Sequence, residues 1–333
     1  MPRILLHRSE PDPSAGWKQF ALARPLLPVR FEFHELPFRP GTPGVTALRE
    51  SVRHEPPDVL HTFGPGAFRV ARRLQMFGTM PGSFPKWIVS GAAGCGADWS
   101  RPLLPEIDAA MAFSVNECGR VTERLKVLSI HMLDPAVVEP VSVASPPGLP
   151  AKFVLAAGGF DDTADLKAAV WAFEMMKYAD PGLHLVLLGN GPDRPDLERF
   201  ARHLAWDDYR IHFAGWQDDV TPYLSAAAVV WVTHAGGGRK FALEAMTAGK
   251  PVVAVRTADT ESVIEHGVSG LLVPGGDKVM LAAVTRKLLA DSGRAGRLGC
   301  AAREKAAGFT PRRLAEAFTT AYDRLTGLPP GDR

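Results

Sequence analysis

The stretch THAGGGRKFALEAMTAGKPVVA, residues 233–254, contains the junction that decides the fold. It follows the apolar run AVVWV and places three glycines and two cations before a helical pattern. The pattern ends at Gly249 and Pro251, and a glycine just past a helix with a proline soon after it is typical of a helix end. A second apolar run, PVVAV, comes next. This order of strand, glycine loop, helix and strand is typical of a parallel sheet.

Short apolar runs alternate with helical patterns along the rest of the chain, and they are clearest in KFVLAA at 152–157 and LHLVLLG at 183–189. Such alternation predicts an α/β fold with helices on both faces of parallel sheets. The stretch PVSVASPPGLPA, 140–151, is rich in proline and lacks periodicity, so we interpret it as a linker. We therefore predict two Rossmann-like, doubly wound parallel-sheet domains, at 1–145 and 151–310.

Composition favours a soluble, cytoplasmic protein. The chain has 333 residues and a formal net charge of +2, so no strong field draws it to nucleic acid or to a membrane surface. Its three cysteines, Cys95, Cys118 and Cys300, are far apart and form no disulfide framework. The N-terminus is too polar for a secretory signal, and the longest apolar runs are far too short for a transmembrane segment.

The glycine-rich junction is a candidate anion site. Gly236–Gly238 have no Cβ atoms, so their N–H groups can approach a ligand closely, and the helix that follows presents unpaired N–H groups and a positive dipole end. Arg239 and Lys240 add full positive charges where an acid is usually preferred, and a bound phosphate would offset their cost. The alternative is that both cations are solvated and that Lys240 pairs with Glu244 at i,i+4.

The second half of the chain resembles the retaining glycosyltransferases of family 4, which have the GT-B fold. The resemblance lies in LLGNGP at 187–192, HFAG at 212–215, LEAMTAGKPVVAV at 243–255 and ESVIEHGVSGLLVPGGD at 261–277, in family order and spacing. It implies that the two domains face a cleft and that the last helical segment, 311–327, crosses back to the first domain.

The resemblance also implies a donor site. Glu244 matches the family glutamate that binds the nucleotide ribose, and the glycine loop matches the segment whose N–H groups hold the diphosphate and the sugar. We predict that Gly236, Gly237, Gly238, Arg239, Lys240, Leu243, Glu244, Glu261 and Gly191 bind the donor. For Glu261 a helix-capping role is the alternative, and Gly191 belongs to a fragment of a dinucleotide motif that lacks its third glycine.

Three charged residues of the family are missing here. The first of its two glutamates falls on Gly236, its arginine on Gly159 and its lysine on Ala164, with Lys167 one turn further on. Cations at a departing diphosphate stabilise the transition state, so these losses are a substantial departure. Arg239 and Lys240 could supply the charge instead.

The acceptor side is matched only in outline, and we assign His61 and Gly94 to it. His61 follows the pattern of a strand end, where a polar core residue is the alternative, and Gly94 lies in a stretch, GAAGCG, that could equally be a plain tight loop. SIHMLDPAVVEP, 129–140, resembles a family loop. Asp161, Asp162 and Asp165 precede a helix, where capping is favoured over metal binding. We predict neither a metal nor a cofactor.

The predicted function is transfer of a sugar from a nucleotide-diphosphate donor to an unknown acceptor, which could be a sugar, a lipid-linked group or a small molecule. Retention of configuration is implied by the resemblance alone, and no catalytic residue is assigned. The missing charges leave a second hypothesis open, a catalytically inactive GT-B scaffold or regulatory partner of an active glycosyltransferase. A dinucleotide-dependent oxidoreductase is disfavoured because no complete GxGxxG is present.

Overall fold

The computed structural model describes residues 1–8, 15–36, 39–77, 84–90, 106–139, 146–160, 165–205, 208–234 and 238–329. The chain divides into two compact units. The first unit comprises Met1–Ala136 and Phe309–Arg333, and the second comprises Val137–Gly308.

The first unit contains a six-stranded parallel sheet in the order β2-β1-β3-β4-β5-β6. Its strands are β1 (Arg3–Arg8), β2 (Glu32–Leu36), β3 (Val59–Phe63), β4 (Lys86–Ser90), β5 (Glu106–Ala112) and β6 (Lys126–Met132). Its helices begin with α1 (Ala15–Ala23), a 3₁₀ turn at Arg24–Leu26, α2 (Gly41–His54), α3 (Gly64–Phe77) and α4 (Val115–Arg124).

The second unit also contains a six-stranded parallel sheet, but its strands are connected in a different order, β12-β11-β10-β7-β8-β9. The strands are β7 (Lys152–Ala157), β8 (Leu183–Leu188), β9 (Ile211–Gly215), β10 (Val229–Val232), β11 (Val252–Val255) and β12 (Leu271–Val273). The helices are α5 (Leu166–Met176), a 3₁₀ turn at Lys177–Ala179, α6 (Arg194–Ala205), α7 (Thr221–Ala226), α8 (Arg239–Thr247), α9 (Ala258–Glu261), α10 (Lys278–Ala290) and α11 (Ser292–Ala306).

The last helix, α12 (Pro311–Thr326), belongs to the first unit. Thr310 caps its N-terminus by accepting a hydrogen bond from the Arg313 N–H, and Gly327 ends it at φ 71°. Its apolar face carries Phe318 and Tyr322, which are fully buried in the core formed with β1, β3 and α1. The C-terminus of the chain thus completes the core begun by its N-terminus.

These two sheets confirm the predicted α/β class of doubly wound parallel sheets. One local prediction is wrong. Residues 129–132, which resemble the start of a family loop, belong to the edge strand β6, and this strand pairs with β5 through Met132. Its alternating polar and apolar residues form a half-exposed edge, a weaker signal than the fully buried strand β3. Within the described ranges, no helix has both the length and the apolarity that a membrane crossing requires.

The strand order places α8 beside a reversal of the sheet. From β7 the chain continues outward through β8 and β9, and then returns to pair β10 on the other side of β7. In open α/β sheets, ligands bind beyond the carboxyl ends of the strands at such a switch point. Because α8 follows β10, its N-terminus lies at this point of the second unit.

Candidate functional site

The N-terminus of α8 is built on a rigid strand. All four residues of β10 are buried, and the Trp231 indole N–H donates to the Thr285 hydroxyl at 2.8 Å. Gly238 is the N-cap of α8, and a Cβ added there would lie 2.6 Å from Cγ1 of Val232. A glycine is therefore required for the chain to turn this closely over the end of β10. Gly236 and Gly237 lie outside the described residues.

The first turn of α8 has the charge pattern that favours an anion. A glycine N-cap offers no side chain to the first N–H groups of the helix, and the described first turn contains no acidic residue. The positive end of the dipole is instead accompanied by two cations, Arg239 and Lys240.

The two cations occupy different environments. Arg239 is 4% exposed and therefore buried, so the alternative in which both cations are solvated does not hold for it. Lys240 is half-buried and its ammonium donates a hydrogen bond to Oε1 of Glu244. The Lys240–Glu244 ion pair expected as the alternative is thus present in the structure.

This ion pair contributes little to stability. The side chains of Lys240 and Glu244 are 35% and 26% exposed, and an i,i+4 pair of this kind is worth about 0.3 kcal/mol. Its order, lysine before glutamate, is also the less favourable one for the helix dipole. A ligand that offers one partner to each charge could therefore replace the pair at small cost.

Gly191 has a packing role in the loop between β8 and α6. A Cβ on Gly191 would collide with the backbone of Phe160, and the Phe160 N–H donates to the Asn190 carbonyl at 3.1 Å. The Asp193 N–H donates in turn to the Phe160 carbonyl at 3.0 Å. These contacts fasten the β7–α5 loop to the β8–α6 loop, so packing alone requires the glycine. Its contact with a donor stays a prediction.

Leu243 and Glu261 are placed differently from each other. Leu243 is fully buried, so its side chain belongs to the core of the second unit. Glu261 ends α9 and forms an ion pair with Arg256 at 2.6 Å. The capping role considered for Glu261 is wrong, because Thr257 and Thr260 form the capping box of α9.

His61 lies in the core of the first unit. It is 0% exposed, its Nδ1 is hydrogen-bonded to the Tyr322 hydroxyl at 2.7 Å, and its Nε2 is hydrogen-bonded to the Ser90 hydroxyl at 2.8 Å. Burial lowers the pKa of the imidazole from 6.5 to about 3. This geometry favours a polar core residue that joins β3, β4 and α12 over an acceptor-binding residue. Gly94, the other acceptor-side prediction, lies outside the described residues.

Asp165 caps α5, as its position in the sequence suggests. Its side chain accepts a hydrogen bond from the Ala168 N–H, and its backbone adopts φ 42°. Asp161, Asp162 and Ala164 lie outside the described residues. In the part of the chain that the structure describes, no three His, Cys, Asp or Glu side chains are grouped so that they could hold a metal ion.

The sequence pattern does not reveal the contacts at the other end of α8. The side chain of Arg303, 56 residues further along, donates from Nε to the Thr247 carbonyl at 3.1 Å. Gly299, one turn earlier in α11, faces the same turn of the chain at Gly249. The only available signal was a glycine and an arginine at i,i+4 in a helical pattern, which is too common to indicate a contact.

Comparisons with known proteins agree with this architecture. The family described as Glycosyl transferases group 1 matches residues 151–291. LpsE of Rhizobium meliloti (strain 1021), a lipopolysaccharide core biosynthesis glycosyltransferase, is 26% identical over 291 residues, which cover 85% of this chain and 79% of LpsE. LpsD of the same organism is 34% identical over 144 residues, and this match spans only 41% of LpsD.

A solved structure extends the likeness to the fold of both units. The crystal structure of Anabaena HepE in complex with UDP and glucose superposes with a TM-score of 0.75 at 15% identity, covering 97% of this chain and 100% of HepE. Membership in family 4 and retention of configuration stay predictions. The second unit is therefore similar in sequence to glycosyltransferases, and the two parallel sheets match the GT-B fold of the solved structure.

Proposed function

We propose that this protein transfers a sugar from a nucleotide-diphosphate donor to an acceptor, with the donor bound at the N-terminus of α8. In this proposal the carboxylate of Glu244 accepts hydrogen bonds from the ribose hydroxyls, and the segment Gly236–Lys240 surrounds the diphosphate. Retention of configuration is part of the proposal through the resemblance to family 4. HepE, whose crystal structure holds UDP and glucose, has the same fold and supports a donor of this class.

The observation that carries the proposal is the half-exposed Lys240–Glu244 pair at an uncapped helix start. A nucleoside diphosphate offers phosphate oxygens to Lys240 and two ribose hydroxyls to Glu244, so both charges exchange one partner for another. The positive end of the helix dipole at the start of α8 adds to the attraction of the phosphates. Without a ligand role, the ion pair would contribute only about 0.3 kcal/mol to stability at this position.

The same cations bear on departure of the nucleoside diphosphate. Negative charge develops on the leaving group, and fixed positive charge beside it lowers the barrier. Because Gly159 and Ala164 stand where the family has an arginine and a lysine, Lys240 is the residue that would contact the leaving group here. The buried charge of Arg239 would act on it through the interior of the second unit.

Calorimetric titration with UDP-, GDP- and ADP-sugars tests the proposal. One of them should bind, and Glu244→Ala should weaken that binding at least tenfold, which corresponds to about 1.4 kcal/mol. Glu198→Ala is the matched control, because Glu198 is 25% exposed and also forms an i,i+4 pair, with Arg194. Absence of binding by all three classes of donor, or equal loss in both variants, would contradict the proposal.

A second candidate is a non-catalytic scaffold, which the glycines at positions 159 and 236 favour, since they remove charge from the family's site. Both candidates could bind a donor, so binding alone does not separate them. Release of the nucleoside diphosphate does, measured over hours with the donor that binds. Slow release that Glu244→Ala abolishes supports the transferase. Binding with no release, in water or with mixed acceptors, supports the scaffold.

A further inference from the structure

The C-terminal end of α8 is a tightly closed turn. The Lys250 N–H donates to the Ala245 carbonyl at 3.1 Å and the Gly249 N–H to the Met246 carbonyl at 2.9 Å. Gly249 adopts φ +67°, the left-handed conformation that ends helices in this way. This turn fixes the position at which α8 ends, and the carbonyl groups of the last residues of α8 lie on one side of it.

Helix α11 packs directly on this turn through two residues of one face. A Cβ added to Gly299 would fall on the Gly249 carbonyl oxygen, at a separation that real Cβ atoms do not adopt. One turn later, Nε of Arg303 donates to the Thr247 carbonyl at 3.1 Å, and its guanidinium lies 3.6–3.8 Å from the position that a Cβ of Gly249 would occupy. A cation at a helix C-terminus also complements the dipole.

These contacts lie within one helical turn of the ribose-binding candidate. Glu244 is three residues before Thr247, which is about 4.5 Å along the helix axis. Its own carbonyl accepts from the Ala248 N–H at 3.1 Å, so Glu244 belongs to the turn that α11 holds. A shift of α11 against Gly249 would therefore move the backbone that carries Glu244.

We infer that Gly299 and Arg303 are positioning residues, which hold the last turn of α8 in the register where Glu244 meets the ribose of the donor. This inference rests on the proposed function. Gly299 sets the distance between α11 and the turn because only a glycine allows the two backbones to meet. Arg303 sets the orientation because its hydrogen bond ties the end of α8 to α11.

Ribose discrimination tests this inference separately from stability. The probes are the diphosphate of the nucleoside that binds best and its 2′,3′-dideoxy analogue, which lacks the hydroxyls that Glu244 would accept. The wild-type protein should prefer the ribose form at least tenfold, and Glu244→Ala should abolish that preference. Gly299→Ala and Arg303→Ala should lower it at least threefold, and Arg303→Lys, which keeps a donor and a charge, should restore part of it.

Gly296→Ala is the matched control, since Gly296 lies in the same helix and an added Cβ there meets nothing within 4 Å. It should leave the preference unchanged. Should Gly299→Ala fail to fold, Arg303→Ala still decides, because its contact lies at the surface of α11. The inference is overturned if Glu244→Ala abolishes the preference for the ribose form while Arg303→Ala and Gly299→Ala retain it, whatever their melting temperatures. The proposed function would then remain intact. If the wild-type protein shows no preference for the ribose form, the proposed contact between Glu244 and the ribose is itself contradicted.

Discussion

His61 in the first unit and Glu244 in the second were both selected from the sequence as site residues, yet the fold treats them in opposite ways. His61 is 0% exposed and both its ring nitrogens are hydrogen-bonded. Glu244 retains 26% exposure of its side chain and pairs with Lys240 at the surface of α8. A polar side chain on a strand or a helix stays accessible only where no later element covers it.

In the first unit, the helix that covers His61 is α12, which comes from the far end of the chain. Tyr322 of α12 supplies the hydroxyl that meets Nδ1 of His61, 261 positions away in sequence. Burial keeps the imidazole neutral at neutral pH, so it offers no charge to an anion. The two regions therefore differ in role: His61 contributes to stability, whereas we propose that the Lys240–Glu244 pair binds the ligand.

Of the substitutions considered, His61→Ala should change the free energy of unfolding most. Removing the ring creates a cavity and leaves the hydroxyls of Ser90 and Tyr322 without their partner, which should lower the free energy of unfolding by about 4 kcal/mol. Urea denaturation measures this loss. Donor affinity of the folded fraction should not change, and a variant of wild-type stability with impaired binding would reverse the comparison.

The pH dependence of stability should carry the signature of the same residue. The folded-state pKa of His61 is about 3 and its ordinary value is 6.5, so the unfolded chain binds the proton first as the pH falls. The stabilisation is complete well above pH 6.5 and is lost toward pH 3, by about 2 kcal/mol between pH 6.5 and about pH 4.5.

Urea denaturation at several pH values measures this slope, and His61→Gln should reduce it. His7, which is also buried with a lowered pKa, contributes a slope of the same sign that persists in the variant. An unchanged slope in His61→Gln would mean that the imidazole is not buried in its neutral form.

A smaller effect, and one on binding, is expected from Lys240→Met. The change removes an ion pair worth about 0.3 kcal/mol, so stability should hardly move. The affinity for the nucleotide-sugar should fall about tenfold, or about 1.4 kcal/mol, because a phosphate loses its cation. Calorimetry together with thermal unfolding separates the two quantities. Lost stability with unchanged affinity would assign Lys240 a structural role only.

The smallest effect is expected from Ser90→Ala, which removes the partner of Nε2 of His61. Ser90 is 1% exposed, and one lost buried hydrogen bond costs about 1 kcal/mol. The variant should bind donors like the wild type. A loss as large as that of His61→Ala would mean that the hydroxyl, and not the ring, holds β3 and β4 together.

Most of the architecture was predictable because buried parallel strands are mainly apolar runs, as β8 and β10 are. The edge strand β6 was missed, since a half-exposed strand carries a weaker pattern. The Lys240–Glu244 pair could be anticipated because i,i+4 neighbours in a helix are set by its geometry. The partners of His61 and the contact of Arg303 with Thr247 join distant segments, and no local pattern encodes them.

A crystal structure with the nucleotide that binds best in titration would show whether the donor lies at the start of α8. We expect diphosphate oxygens within about 3 Å of the backbone N–H groups at the start of α8 and of the Lys240 ammonium. The ribose hydroxyls should lie against the Glu244 carboxylate, with the Lys240–Glu244 pair opened. A nucleotide bound elsewhere, with that pair intact and the start of α8 facing away from it, would contradict the account.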